Sequence, residues 1–127
     1  MPFSNGVKYS KIIYMDKTII EGNPVALATI TKSDKPNQVV VAFAKYEQDK
    51  VIITDNYMAQ TLDDIKINPS VCLVVWDKDW NGLKIIGEAE YFTSGKWMEF
   101  VKDIPENKGL PCKGAIVVSV KKIIESK

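Results

Sequence analysis

Two short stretches of this chain, VVVAF (residues 39–43) and VCLVVW (71–76), are apolar at successive positions rather than at every second one. Neighbouring side chains in a strand point to opposite sides, so a strand of this kind must lose water on both faces. In a chain of 127 residues the interior of a barrel can cover one face. The other face calls for a partner subunit, a ring-shaped ligand or a helix packed outside the barrel. A homodimer is the expectation, and solution mass is its test.

The remaining segments agree with a mostly antiparallel sheet. VKYSKIIYMDKTIIEGN places Val7, Ile12, Met15 and Ile19 near one helical face before Gly22, which predicts a helix over residues 6–20. PVALATIT and QVVVAFAKY are rich in β-branched and aromatic residues and are separated by the turn formers of KSDKPN, a hairpin pattern. KVIITD adds a third strand, read as the next neighbour in a meander. A short helix follows and stops at Pro69. VCLVVWD and LKIIGEAEYF flank the turn DKDWNG as a second hairpin. SGKWMEFVKDI carries Trp97, Phe100, Val101 and Ile104 at helical spacing behind the candidate caps Thr93 and Ser94, and GAIVVSVKKII closes the chain as a strand. Strands and helices do not alternate regularly, which disfavours a doubly wound parallel sheet. The expected fold is mainly β (α+β), a six-stranded antiparallel barrel or sandwich with peripheral helices, in a single domain spanning 1–127.

Composition narrows the chemistry. Lysine plus arginine (17) nearly balances aspartate plus glutamate (16), with the charges scattered, so no basic field is offered to a nucleic-acid backbone. No apolar run approaches the roughly 18 residues of a membrane span, and MPFSNGVKYSK lacks the apolar centre of a signal peptide, so a cytoplasmic location is expected. With no histidine and only Cys72 and Cys112, neither a zinc site nor a histidine-based nucleophile system assembles in the usual ways, and no metal site is expected. Cys72 reads as a small core thiol and not as half of a disulfide.

The stretch ITDNYMAQTLDDIKINP (53–69) runs from strand through a polar turn into a helix starting near Met58. The first amides of such a helix lack intrahelical partners, and the helix dipole makes that end mildly positive. Asp55 or Asn56 as a cap, water, or an anion such as a phosphate could satisfy them. Gln60 and Thr61 add an amide and a hydroxyl in the same turn, while Met58, Leu62 and Ile65 form the apolar face. Asp63 and Asp64 would repel an anion that came close.

The run GNPVALATITKSDKPNQVVVAF, then KVIITDNYMAQTLDDIKINPSVCLVVW, then LKIIGEAEYF, resembles the FMN-binding split-barrel family that includes pyridoxamine 5'-phosphate oxidase. Three linked pieces over residues 20–93 carry the resemblance: the PVALAT strand with its Pro-containing turn, the strand-turn-helix ending in Asn-Pro, and the G-x-A-E strand. It implies FMN at a dimer interface, with the phosphate at the turn and helix start matching Asn56, Met58, Ala59, Gln60 and Thr61. Ala42, Phe43, Ile53, Thr54 and Asp55 would line the ring and ribityl chain, Phe43 either packing on the isoalloxazine or serving as plain core. The chain departs from the oxidase branch at Val39, Ala44, Gln60 and Thr61, where that branch carries cations for the phosphate. Lys45 and Lys84 are the candidates to compensate, each with a solvated surface role as the alternative.

The resemblance also implies a C-terminal extension that helps the vitamin-forming oxidases hold substrate. This chain ends soon after its last strand, so pyridoxamine phosphate oxidation is disfavoured. The expectation is a small redox-active flavoprotein with an unknown small-molecule or protein redox partner and no assignable acid or base. The alternative is a non-enzymatic binding module on the same barrel, with a flavin-like or tetrapyrrole ligand or none, the missing histidine arguing against imidazole-ligated haem. Trp76 and Trp80 in WDKDWNG read as a strand end and a turn residue, with an aromatic lid as the other possibility. KDIPENKGLPCK (102–113) reads as an exposed loop approaching a partner's site, where Trp97 and Pro111 could contribute.

Overall fold

A computed structural model describes residues 17–126. Most of the helix expected over residues 6–20 lies outside the described residues. Its visible end is α1 (Lys17–Glu21), which buries Ile20.

Seven strands form one antiparallel sheet: β1 (Val25–Ile30), β2 (Pro36–Val41), β3 (Lys45–Glu47), β4 (Lys50–Asp55), β5 (Ser70–Trp76), β6 (Gly82–Phe92) and β7 (Gly114–Ser126). Their order is β2-β1-β5-β6-β7-β4-β3, which leaves β2 and β3 as the two edges. The helix α2 (Gln60–Ile67) lies between β4 and β5. The helix α3 (Lys96–Lys102) and a 3-10 turn (Pro105–Asn107) lie between β6 and β7.

The expectation of six strands becomes seven because QVVVAFAKY is not one strand. Ala42–Ala44 leave the sheet, and the chain resumes as β3 on the opposite edge. Four residue steps from Val41 to Lys45 span at most about 14 Å, so this link holds the two edges close and curls the sheet into a split barrel. The meander also needs correction. β1 pairs with β2 as expected, Val25 opposite Val41, and β4 pairs with the end of the expected second strand, now β3, Tyr46 opposite Val51, but the other neighbour of β4 is β7, Ile53 opposite Ile116, toward the edge of the sheet away from β2. The hairpin of β5 and β6 stands as read, Val71 opposite Gly87.

The barrel interior holds Leu27, Val51, Ile53, Leu73, Val75, Ile85, Ile116 and Val118. A second cluster lies on the outer face of β4 and β7, where Ile52, Ala115 and Val117 meet Trp97, Met98, Val101 and Ile104. For β4 and β7, then, the outside cover is α3, the helical option among the three. The cap expected at Thr93 or Ser94 is absent: α3 is preceded by Gly95 at φ 85° with no side-chain cap. Gly87 sits where the β6–β7 register shifts, and a Cβ there would strike the Ser119 carbonyl, so the bulge requires glycine.

Among the described residues the outer face of β2 has no such cover. Val40 is 75% exposed. Trp80 is also exposed, in a turn at φ 65°, whereas Trp97 is buried.

Candidate functional site

β4 ends in residues that alternate between the two sides of the barrel wall. Ile53 and Asp55 point inward with Val51, and Thr54 points outward with Ile52. Outside Thr54 lies a groove of about 510 Å³, within the range of roughly 300–1,000 Å³ usual for small-molecule sites. One wall is Val39, Val40 and Val41 of β2, continued by Ala42 and Phe43 of the link. The other is the turn Asn56–Ala59 with Gln60 and Thr61 at the start of α2, and Leu110 closes one end.

The turn is fixed from behind by Asp55, which is fully buried. Its Oδ1 accepts the Met58 N–H at 2.8 Å and its Oδ2 accepts the Tyr91 hydroxyl at 2.7 Å. Lys113 donates to the Met58 carbonyl at 2.6 Å and approaches Asp55 Oδ1 at 3.9 Å. Asn56 donates to Asn107 Oδ1 and to the Pro111 carbonyl, both at 2.6 Å. The loop before β7 thus clamps the groove floor. Burial, followed by the bond and charge of Asp55, raises the Tyr91 pKa well above the ordinary phenol value. Burial also raises the Cys112 thiol, against the lowering effect of Lys102.

The helix start is open. α2 begins at Gln60, not Met58, behind Ala59, which supplies no side-chain cap. Asp55 takes an amide of the preceding turn rather than of the helix. Behind this end lies a polar cluster. Asp64, 2% exposed, accepts from Thr29 and from the Gln60 amide, each at 2.8 Å. Asn37 donates to Thr29 at 3.2 Å and to the Thr61 hydroxyl at 3.3 Å. The expectation that Asp63 and Asp64 both face an approaching anion therefore changes. Asp63 is exposed, whereas Asp64 is turned inward and saturated by neutral donors.

One group here has no partner. The Thr54 hydroxyl, on a residue 3% exposed, makes no hydrogen bond among the described residues. Buried polar atoms without partners are rare and costly, and this one borders the groove. An orphaned hydroxyl beside uncapped helix amides, with valine and phenylalanine walls, fits a planar ring carrying a polar tail. A flavin mononucleotide has that form.

Of the residues expected from the sequence, Ala42, Phe43, Thr54, Asn56, Met58, Ala59, Gln60 and Thr61 come together on the groove. Phe43 also packs on the outer cluster, as its core reading has it. Ile53 and Asp55 face the barrel interior. Lys45 is paired with Glu106 at 2.7 Å, which holds the Glu106 carboxyl below its usual range. Lys84 is opposite Val74 and Ile124 in the sheet and does not line the groove. The reading of the sequence did not identify Val40, Val41, Tyr57 or Leu110 as lining. The unbroken VVVAF run carried the signal for the two valines. For Tyr57 and Leu110 no local pattern existed.

The curled seven-stranded sheet with its edges at β2 and β3 is an antiparallel split barrel. The family profile described as pyridoxamine 5'-phosphate oxidase matches residues 15–127, and the chain belongs to that family. An uncharacterized protein of Methanocaldococcus jannaschii is 29% identical over 113 residues, covering 85% of this chain and 76% of that protein. Pyridoxine/pyridoxamine 5'-phosphate oxidase of Bdellovibrio bacteriovorus is 30% identical over 81 residues, 63% of this chain, and the match spans 41% of that oxidase's length. Among solved structures, an FMN-binding protein from Syntrophomonas wolfei superimposes with a TM-score of 0.74 at 17% identity, over 91% of this chain and 86% of that one. At that identity the likeness establishes a shared fold. Among the described residues no helix is long and apolar enough to cross a membrane, and no cluster of three metal-ligating side chains exists.

Proposed function

We propose that this protein is a small FMN-binding flavoprotein, acting in electron transfer or as a flavin-dependent oxidoreductase on a small-molecule or protein partner, as a cytoplasmic homodimer. The observation that carries the proposal is a groove lined both by Thr54, whose buried hydroxyl has no partner among the described residues, and by the start of α2, which has no side-chain cap.

In this reading the flavin supplies the electron chemistry and the protein binds and orients it. The Thr54 hydroxyl offers a hydrogen bond to the ring edge, and Phe43 and Val41 shield the ring from water. Thr61, Gln60 and the first amides of α2 hold the tail. Burying some 200 Å² of apolar ring at about 25 cal/mol per Å² contributes roughly 5 kcal/mol. Micromolar binding needs about 8 kcal/mol, so the polar contacts supply the difference after association costs.

The same surface supports the dimer reading. Val40 and Tyr57, 75% and 74% exposed, flank the groove with Leu110 at its end. Exposed apolar side chains gathered around a groove on an edge strand favour a partner that covers them. A second protomer on β2 would turn an open groove into an enclosed site.

The test is a visible absorption spectrum of the purified protein after FMN is added and unbound flavin is removed by gel filtration, with the mass read in the same run. Flavin bands near one FMN per chain on a species of twice the chain mass are expected. A colourless monomer would contradict both parts.

A further inference from the structure

We infer that the groove recognises the flavin ring and its uncharged polyol, and is nearly indifferent to the terminal phosphate, so that riboflavin-type ligands are accepted alongside FMN. This inference rests on the flavin reading above and concerns the specificity of that same site.

A phosphate monoester carries about −1.5 to −2 charges at neutral pH, and sites that depend on it supply lysine or arginine for charge-assisted bonds. Here no lining side chain among the described residues is charged. Lys45 is committed to Glu106. Lys113 reaches the turn but bonds the Met58 carbonyl and sits 3.9 Å from the buried Asp55 carboxylate, which offsets its charge. Beneath the helix start lies the buried Asp64 carboxylate, held by Gln60 and Thr29, and Asp63 is in the first turn of α2. A phosphate placed there would meet neutral donors only, with an anion behind them. Amides and a threonine hydroxyl serve a polyol oxygen as well as they serve a phosphate oxygen. The apolar part of the groove lining runs from Val39 to Phe43 and includes Met58.

The experiment is an equilibrium titration of the full chain with FMN and with riboflavin, followed by flavin fluorescence, at about 20 mM and about 500 mM salt. Kd values within about tenfold of each other are expected, and the FMN value should move less than about threefold between the two salts, because neutral donors are little screened. FMN binding more than about 100-fold tighter, with the advantage shrinking at high salt, would overturn the inference. In Lys113→Gln the ratio of the two Kd values should stay unchanged. A preference for FMN present in the native protein and lost in this variant would also overturn it, by making Lys113 the phosphate's cation. A folded protein that binds neither flavin would overturn the flavin reading itself and this inference with it, a result distinct from a strong preference for FMN.

Discussion

The Tyr91 hydroxyl donates to Asp55 across 36 positions of sequence, at 2.7 Å, and joins β6 to the turn that floors the groove. Asp55 is fully buried, so a lost donor there is not replaced by water. Tyr91→Phe is expected to cost about 1.5–3 kcal/mol in denaturant unfolding at neutral pH, the range for hydrogen bonds to charged groups. A cost under about 0.5 kcal/mol would show that the turn holds without it.

The same bond predicts a pH response. Tyr91's pKa is raised in the folded state, by burial first and by Asp55 second, and Tyr46 is pushed up to about 12 by burial and Asp49. A raised pKa favours the protonated folded form. Its contribution is complete below the unfolded phenol value of about 10 and is lost as pH rises above it. Stability should therefore fall above about pH 10, and the fall should be shallower in Tyr91→Phe, with Tyr46 supplying what remains. An equal slope in both proteins would remove Tyr91 from the account.

Two glycines carry the fold's tightest approaches. A Cβ on Gly114 would run into the Tyr91 ring, and one on Gly87 would strike the Ser119 carbonyl. Gly87→Ala meets backbone that cannot move aside and should cost about 2 kcal/mol or more. Gly114→Ala instead pushes on the side chain that holds Asp55, so it should reproduce the neutral-pH loss of Tyr91→Phe, and the two effects should not add in the double variant. Full additivity, read by thermal unfolding, would separate them.

What the sequence made legible was local. The strand of VALATI, the β5–β6 hairpin and the closing strand each follow from alternating or continuous apolar runs bounded by turn residues. The turn and helix start at 56–61 were visible as polar residues between a strand and Pro69. The β4–β7 pairing was not legible, because partners about 65 positions apart leave no local mark. Ala42–Ala44 read as strand because the chain is apolar throughout there, and only the jump between sheet edges explains the break. Ile53 and Asp55 entered the expected lining through the family resemblance, whereas the strand period sends them to the side opposite Thr54. The clamp by Tyr91, Asn107 and Lys113 was beyond reach for the same long-range reason. Asp55 read as a cap in sequence and is an anchor in the fold.

Removing the tail contacts should weaken binding without unfolding the chain. Gln60→Ala combined with Thr61→Ala deletes a neutral amide and a hydroxyl beside the groove, and FMN Kd should rise by about fivefold, at roughly 1 kcal/mol for the pair's net contribution. Asp63→Asn, at an exposed position of the same helix, serves as the control and should change Kd by less than about twofold. Equal losses in both variants would take the helix start out of the site.

Val40→Glu places a charge in the exposed apolar surface of β2, where the native side chain is 75% exposed. The expected result is a monomer by solution mass with thermal stability near that of the native protomer, and weaker FMN retention because the groove loses its cover. An unchanged dimer would put the interface elsewhere.

The claim that the groove beside β4 is the flavin site is tested most directly by FMN titration of the native protein and Thr54→Val side by side, with the unfolding of each ligand-free protein measured alongside. Valine keeps the shape and removes a buried hydroxyl that has no partner among the described residues, so the ligand-free variant should be at least as stable as the native protein, by up to about 1 kcal/mol. Its FMN Kd should nonetheless rise by about three- to tenfold, the hydroxyl's bond to the ring being lost. Identical FMN affinity in the two proteins would contradict the account and place the flavin, if it binds, away from Thr54.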